Sequence, residues 1–169
     1  MLRNRKAFSM IELIFVIFIT GILASLAIPR FTGVSDDAHL IKLQAFAGTL
    51  NRSVGPMLWS GVQRREPDKK GSVKESMNYH QLREYLDIET IPTEFQGLGD
   101  PKVISLTSCM EANCTIPSVG SPVGELANGK IAVTSKIGSK TYALGCIDSN
   151  IASSPKFYLY DENEGVIVY

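Results

Sequence analysis

Lys6-Ala7-Phe8-Ser9-Met10-Ile11-Glu12-Leu13 opens an apolar run that continues from Ile14 to Ile28 and meets Pro29. Phe8 to Ile28 holds 16 apolar residues in 21. As a helix this segment is about 31 Å long, close to one hydrocarbon thickness. Arg3, Arg5 and Lys6 precede it with no acid before Glu12, a pattern that keeps the N-terminus on the cytoplasmic side. Glu12 is the anomaly. A carboxylate at the centre of an apolar span costs on the order of 2.5–3.5 kcal/mol, and less near its edge. Neither a plain anchor nor a cleaved secretory signal has a use for it. Ser25-Leu26-Ala27 does place small residues where a signal peptidase reads, so both readings stay as alternatives.

These residues resemble the class III signal of the type IV pilin and pseudopilin family. That family has a short basic leader, a small residue before the cut and Phe after it. Glu stands at the fifth mature position, and an apolar helix follows with Pro near its far end. Ala7 stands where the family usually has Gly. The resemblance implies cleavage between Ala7 and Phe8 by prepilin peptidase and N-methylation of Phe8. It also implies assembly through Glu12 into a homo- or heteropolymer of pilin-like subunits on an inner-membrane platform. The chemistry is coherent. Cleavage exposes an ammonium on Phe8, with an ordinary pKa of about 8. It lies four residues, about 6 Å, from Glu12. Staggered subunits can pair one's amine with the other's carboxylate, provided both charges leave water together.

Outward from this segment the chain is ordinary. Its 169 residues suit one modest domain, and 17 basic residues balance 17 acidic ones. No bulk charge therefore steers it to nucleic acid or anionic lipid. Composition excludes a multi-span membrane protein, a disordered tail and a disulfide-dense mini-protein. Leu40, Leu43, Phe46, Ala47, Leu50, Val54, Met57 and Leu58 recur every three or four residues, so an amphipathic helix continues to about Leu58. Gly21, Pro29 and Gly33 are soft points, and Gly55-Pro56 predicts a kink or an end.

Arg64 to Lys74 reads as a polar loop, and Tyr79 to Leu86 as a short helix with Asn78 as its cap. Val103 to Leu106 is a candidate strand, and Glu111 to Gly129 a Gly/Pro/Ser-rich connection. Lys130–Ser135 with Thr141–Ile147, and Phe157–Tyr160 with Val166–Tyr169, read as two hairpins. The expected architecture is α+β and pilin-like. A long N-terminal helix packs its second half on an antiparallel sheet of about four strands. The expected division is a leader at 1–7, a membrane or filament-core helix at 8–28, and a periplasmic domain at 29–169, anchored in the inner membrane by a single pass.

Cys109, Cys114 and Cys146 fall in the segment placed outside the cytoplasm, where disulfides persist. Close spacing favours Cys109–Cys114 with Cys146 free. A bridge to Cys146 is the alternative, and Cys146 also reads as a small buried side chain. A lone C-x4-C is a weak zinc signal, and neither a metal nor a cofactor is assigned. Asp161, Glu162 and Glu164 do not have EF-hand spacing. The resemblance raises calcium there, with Asp148 as a further ligand, against a solvated turn with Gly165 at positive φ. His39 and His80 have no nucleophile or carboxylate at a telling spacing. Arg64, Arg65, Lys69, Lys70 and Lys74 read as a solvated loop, with DNA contact beside Trp59 as the minor alternative.

No nucleophile elbow, P-loop, dinucleotide fingerprint or zincin motif occurs, so the expected role is structural rather than enzymatic. The resemblance allows a type II secretion pseudopilin, a competence filament or a surface pilus. A periplasmic or membrane-anchored binding protein with an ordinary signal is the alternative.

Overall fold

The computed structural model describes residues 9–82, 85–86, 90–97 and 104–169. The chain forms two compact units, Met1–Ala38 and His39–Tyr169. Helix α1, Met10–Thr49, begins in the first and ends in the second. Its backbone stays helical through Gly21, Pro29 and Gly33, so the expected soft points do not interrupt it.

From Met10 to Ile28, in the first unit, the helix is apolar on every side apart from Glu12, and its large side chains are exposed. Two of its hydroxyls are satisfied locally: Thr20 donates to the Val16 carbonyl at 2.8 Å and Ser25 to that of Ile22 at 2.7 Å. This is how hydroxyls are tolerated in a lipid-facing helix. The segment is long and apolar enough to cross a membrane.

In the second unit the same helix becomes one-sided. Leu43, Phe46, Ala47 and Leu50 are buried on one stripe, followed by Val54, Leu58 and Val62. Between the two groups lies a π-helical turn, Leu50–Val54, closed by the Gly55 N–H donating to the Leu50 carbonyl. Helix α2, Gly55–Arg65, continues from it, with Pro56 in its first turn. The expected end near Leu58 is therefore corrected to Arg65. Proline is harmful in a helix interior but fits a first turn, where its missing N–H is not needed.

The π-turn also changes which residues are buried. At about 100° per residue an uninterrupted helix would put Met57 within about 40° of Leu43 and Val62 about 100° away. A π-turn adds roughly one residue to the turn and rotates the helix beyond it. Met57 accordingly lies 45% exposed and Val62 is buried.

The sheet is a five-stranded antiparallel meander: β1 (Phe95–Gly97), β2 (Lys130–Thr134), β3 (Tyr142–Ile147), β4 (Lys156–Asp161) and β5 (Val166–Ile167). Both expected hairpins are present. β3 and β4 pair along their whole length, from Tyr142 opposite Asp161 to Ile147 opposite Lys156. One face of the sheet, including Leu144, Cys146, Phe157 and Leu159, packs with the helical stripe in the main core. The other face is covered as well. Ala143, Ile147, Tyr158 and Tyr160 pack with Val123 and Leu126, with Met110 and Ile116 at the margin. The Gly/Pro/Ser-rich connection thus closes a second core, and every residue of β3 is buried. Tyr158 needs glycine beneath it, because a Cβ on Gly145 would overlap its ring.

Three other expectations are corrected. The strand at Val103–Leu106 is absent over its described residues: Ser105 makes an isolated bridge to Gln81, and Leu106–Ser108 is a 3-10 turn. Val103 lies outside the described residues, as do Arg83 and Glu84 of the expected Tyr79–Leu86 helix. At Leu82 a single turn forms, its carbonyl accepting from the Tyr85 and Leu86 N–H groups. The side chain that caps the preceding bend is Ser76, which accepts from Asn78 and Tyr79 N–H, not Asn78. Asn78 instead donates to Glu66.

Candidate functional site

Ala7 and Phe8 lie outside the described residues. The first described turn begins at Ser9, whose carbonyl accepts from Glu12 N–H at 3.1 Å and Leu13 N–H at 3.2 Å. Glu12 is exposed in the first turn of α1. Among the described residues it has no ion-pair partner. Its neighbours are exposed too: Ile11 and Leu13 flank it, and Phe15, Val16, Ile17 and Phe18 come next. A negative charge near a helix N-terminus is favoured by the helix dipole. In a sleeve of exposed apolar side chains it still needs a cation once water is removed. The site has the composition of an association surface: an apolar surface with one fixed charge, left exposed among the described residues.

The cysteines are arranged differently from the favoured expectation. The disulfide joins Cys109 to Cys146, with Cα atoms 4.8 Å apart, and Cys114 is the free, half-buried thiol. The reason is a strand-like contact across 37 residues of sequence. Met110 bridges Ile147 in parallel, its N–H donating to the Cys146 carbonyl at 2.9 Å and its carbonyl accepting from Asp148 N–H at 2.7 Å. That register sets Cys109 beside β3. Cys114 lies past a turn in which its own N–H donates to the Glu111 carbonyl, and its side chain packs at the edge of the second core.

The acidic hairpin turn is occupied by lysines. Lys140 lies 3.0 Å from Asp161 and 2.7 Å from Glu164, while Lys130 lies 2.7 Å from Glu162. Asp161 also accepts from the Asn163 and Glu164 N–H groups. Burial pushes its carboxyl up, but Lys140 and these amides outweigh burial and hold it below the usual range. Gly165 has φ +66, as the turn reading expected. Asp148 lies elsewhere, accepting from Ser72, Lys74 N–H and Ser149 N–H. Among the described residues no group of three or more His, Cys, Asp or Glu side chains is placed to hold a metal ion.

Trp59 is not a free stacking platform: its indole N–H donates to the Asn150 carbonyl at 2.7 Å. Near it Arg64, Arg65 and Lys70 are exposed, and Lys74 pairs with Glu111 at 2.9 Å. His80 contacts the Ser76 carbonyl through Nδ1 at 2.8 Å. His39 belongs to a cluster that the sequence did not disclose: its Nδ1 lies 2.7 Å from Glu94, which Lys42 also contacts at 3.0 Å. Burial pushes the Glu94 carboxyl up. Its own backbone N–H, His39 and Lys42 outweigh burial and bring it down to about 2. The partners are more than 50 residues apart in sequence, so no local spacing could reveal them.

The described residues thus define an α+β protein whose first helix is exposed and apolar from Met10 to Ile28, with Glu12 as the one acidic residue of that stretch. A family model described as the prokaryotic N-terminal methylation motif matches residues 2–28. The N-terminus therefore carries the class III signal peptide of type IV pilins, the kind of segment that prepilin peptidase processes. No curated protein and no solved structure matches the chain.

Proposed function

We propose that this chain is a structural subunit of a type IV pilus-like filament. The observation that carries the reading is the methylation motif, together with Glu12 standing on an exposed apolar helix without an ion-pair partner among the described residues. Prepilin peptidase cuts between Ala7 and Phe8, and Phe8 is N-methylated. The subunit waits in the inner membrane, held by residues 8–28, with residues 29–169 in the periplasm. An assembly platform then draws it into a polymer with pilin-like partners. The Phe8 ammonium of one subunit pairs with Glu12 of a neighbour, and the apolar helices bury one another. The chain does mechanical work by association and turns over no substrate. A pseudopilus of type II secretion, a competence filament and a surface pilus all use such a subunit.

N-terminal mass analysis of the protein from its membrane tests the reading. A mature chain beginning at methylated Phe8 supports it. A chain beginning at Ile28 overturns it in favour of a secretory signal, and an uncut chain in favour of a plain anchor.

A further inference from the structure

The triplet Asn-x-Ser/Thr, with x other than Pro, occurs twice in this chain: Asn51-Arg52-Ser53 and Asn113-Cys114-Thr115. It is the acceptor pattern for N-glycosylation, and the two copies meet opposite fates in the fold. Asn51 sits in the π-turn, and both ends of its carboxamide are used. Its Nδ2 donates to the Phe157 carbonyl, and its Oδ1 accepts from Phe157 N–H, each at 2.8 Å. That nitrogen cannot reach an external electrophile without unpacking helix from sheet.

Asn113 is the reverse case. It lies on a turn in which Cys114 N–H donates to the Glu111 carbonyl at 3.1 Å. Both Asn113 and Thr115 are exposed. The Cys114 thiol approaches Asn113 Oδ1 at 3.9 Å, and Nδ2 has no partner among the described residues. Two residues before it stands Glu111, the acidic position of the extended acceptor motif Asp/Glu-x-Asn-x-Ser/Thr that bacterial oligosaccharyltransferases use. Glu111 is exposed, and its pairing with Lys74 is a surface contact that a binding partner readily replaces. The segment is also anchored at its base, because Cys109 is tied to Cys146 and Met110 to Ile147. The acceptor is presented on a fixed base without being buried.

We infer that Asn113 is an N-glycosylation acceptor, and that its co-substrate is a polyprenyl-diphosphate-linked oligosaccharide. In the transfer, Asn113 Nδ2 forms a bond to the anomeric carbon of the first sugar as the bond from that carbon to the diphosphate oxygen breaks. One Nδ2 proton is lost, and the polyprenyl diphosphate leaves with the electron pair. No oxidant or reductant is needed. In the cell the reaction rests on the proposed placement of residues 29–169 outside the cytoplasm.

The test does not depend on that placement. The full-length protein, purified in detergent from cells containing prepilin peptidase, is incubated with a bacterial oligosaccharyltransferase and its polyprenyl-diphosphate heptasaccharide, then mapped by mass spectrometry. The Asn113 peptide should gain the glycan mass and the Asn51 peptide should not. The gain should be lost in Asn113→Gln and Thr115→Val and should fall in Glu111→Gln, all three keeping the Cys109–Cys146 peptide as evidence of folding. An unmodified Asn113 in the folded protein, or a glycan on Asn51 instead, overturns the inference. The same spectra read the N-terminus. An uncut chain carrying a glycan on Asn113 would sink the filament reading alone. A chain starting at methylated Phe8 with a bare Asn113 would sink this inference alone.

Discussion

Residues 10–28 and 43–62 are both helical and both carry large apolar side chains, yet the first segment leaves them exposed and the second buries a stripe. The difference is angular. The first is apolar all round apart from Glu12, so no single face could satisfy it, and among the described residues its large side chains stay exposed. The second carries Gln44, Arg52 and Ser53 between its apolar residues, with Lys42 just before them, which leaves one side for a sheet and the other for water. A helix of the first kind needs lipid or other helices, whereas one of the second kind completes a domain. On the proposed filament reading, folding and assembly are written in different parts of one helix and should fail independently.

The largest effect should come from Glu12→Ala. Filament incorporation, measured by shearing or crosslinking, should be lost, because the neighbour's ammonium would have no counter-charge in a dry core. The sheet domain should stay folded and the protein membrane-bound. Glu12→Asp should give a partial defect. Normal assembly of the alanine variant would break the division of labour drawn here.

Leu50→Ala tests the other region. It removes a fully buried side chain and should destabilise the domain by about 2–5 kcal/mol in urea unfolding. Leu23→Ala, on the exposed segment, should leave that unfolding curve unchanged. Cys146→Ser opens a 37-residue loop and should cost about 2–4 kcal/mol, while Cys114→Ser should leave the bridge intact. Equal loss in the two variants would contradict the observed pairing.

Acid should loosen the second region. Glu94 titrates at about 2 instead of the ordinary 4.5, so between those values the unfolded chain binds more protons than the folded one. Its stabilising contribution is full above pH 4.5 and is lost as pH falls toward 2. Asp161, also held low, acts in the same direction. Urea midpoints measured down through this window should decline, and Lys42→Met should make the decline shallower. The smallest effect is the most pointed. Met57→Ala should change stability by no more than about 0.5 kcal/mol, because the π-turn has moved Met57 off the core. A loss of about 2 kcal/mol or more, typical of a buried methionine, would mean that the helix runs through without it.

Much of this was legible in the sequence because it is local. The charge, the small residue, the aromatic and the acid of the N-terminal motif lie within seven residues of one another. Both hairpins announce themselves by a change of period around Gly138 and Gly165. The amphipathic stripe from Leu43 to Leu50 comes from spacing alone. The features that spacing could not reveal depend on residues far apart meeting. The choice of Cys146 over Cys114 needs the Met110–Ile147 register, and the Glu94 cluster joins a helix to the start of β1.

The π-turn belongs to the same class. Local propensity at Gly55-Pro56 pointed to a kink or an end. In the fold, Asn51 pairs with both backbone groups of Phe157, which β5 is too short to cover, and the helix passes Pro56 as a first-turn residue. Sequence by itself determined which segments become helix or hairpin and that the N-terminus is built for processing, since these rest on dihedral preference, spacing and charge within a few residues. Tertiary structure decided the helix's rotation, the disulfide partner and the covering of the sheet's second face, because each is set by hydrogen bonds and packing between segments whose relative register no local pattern encodes.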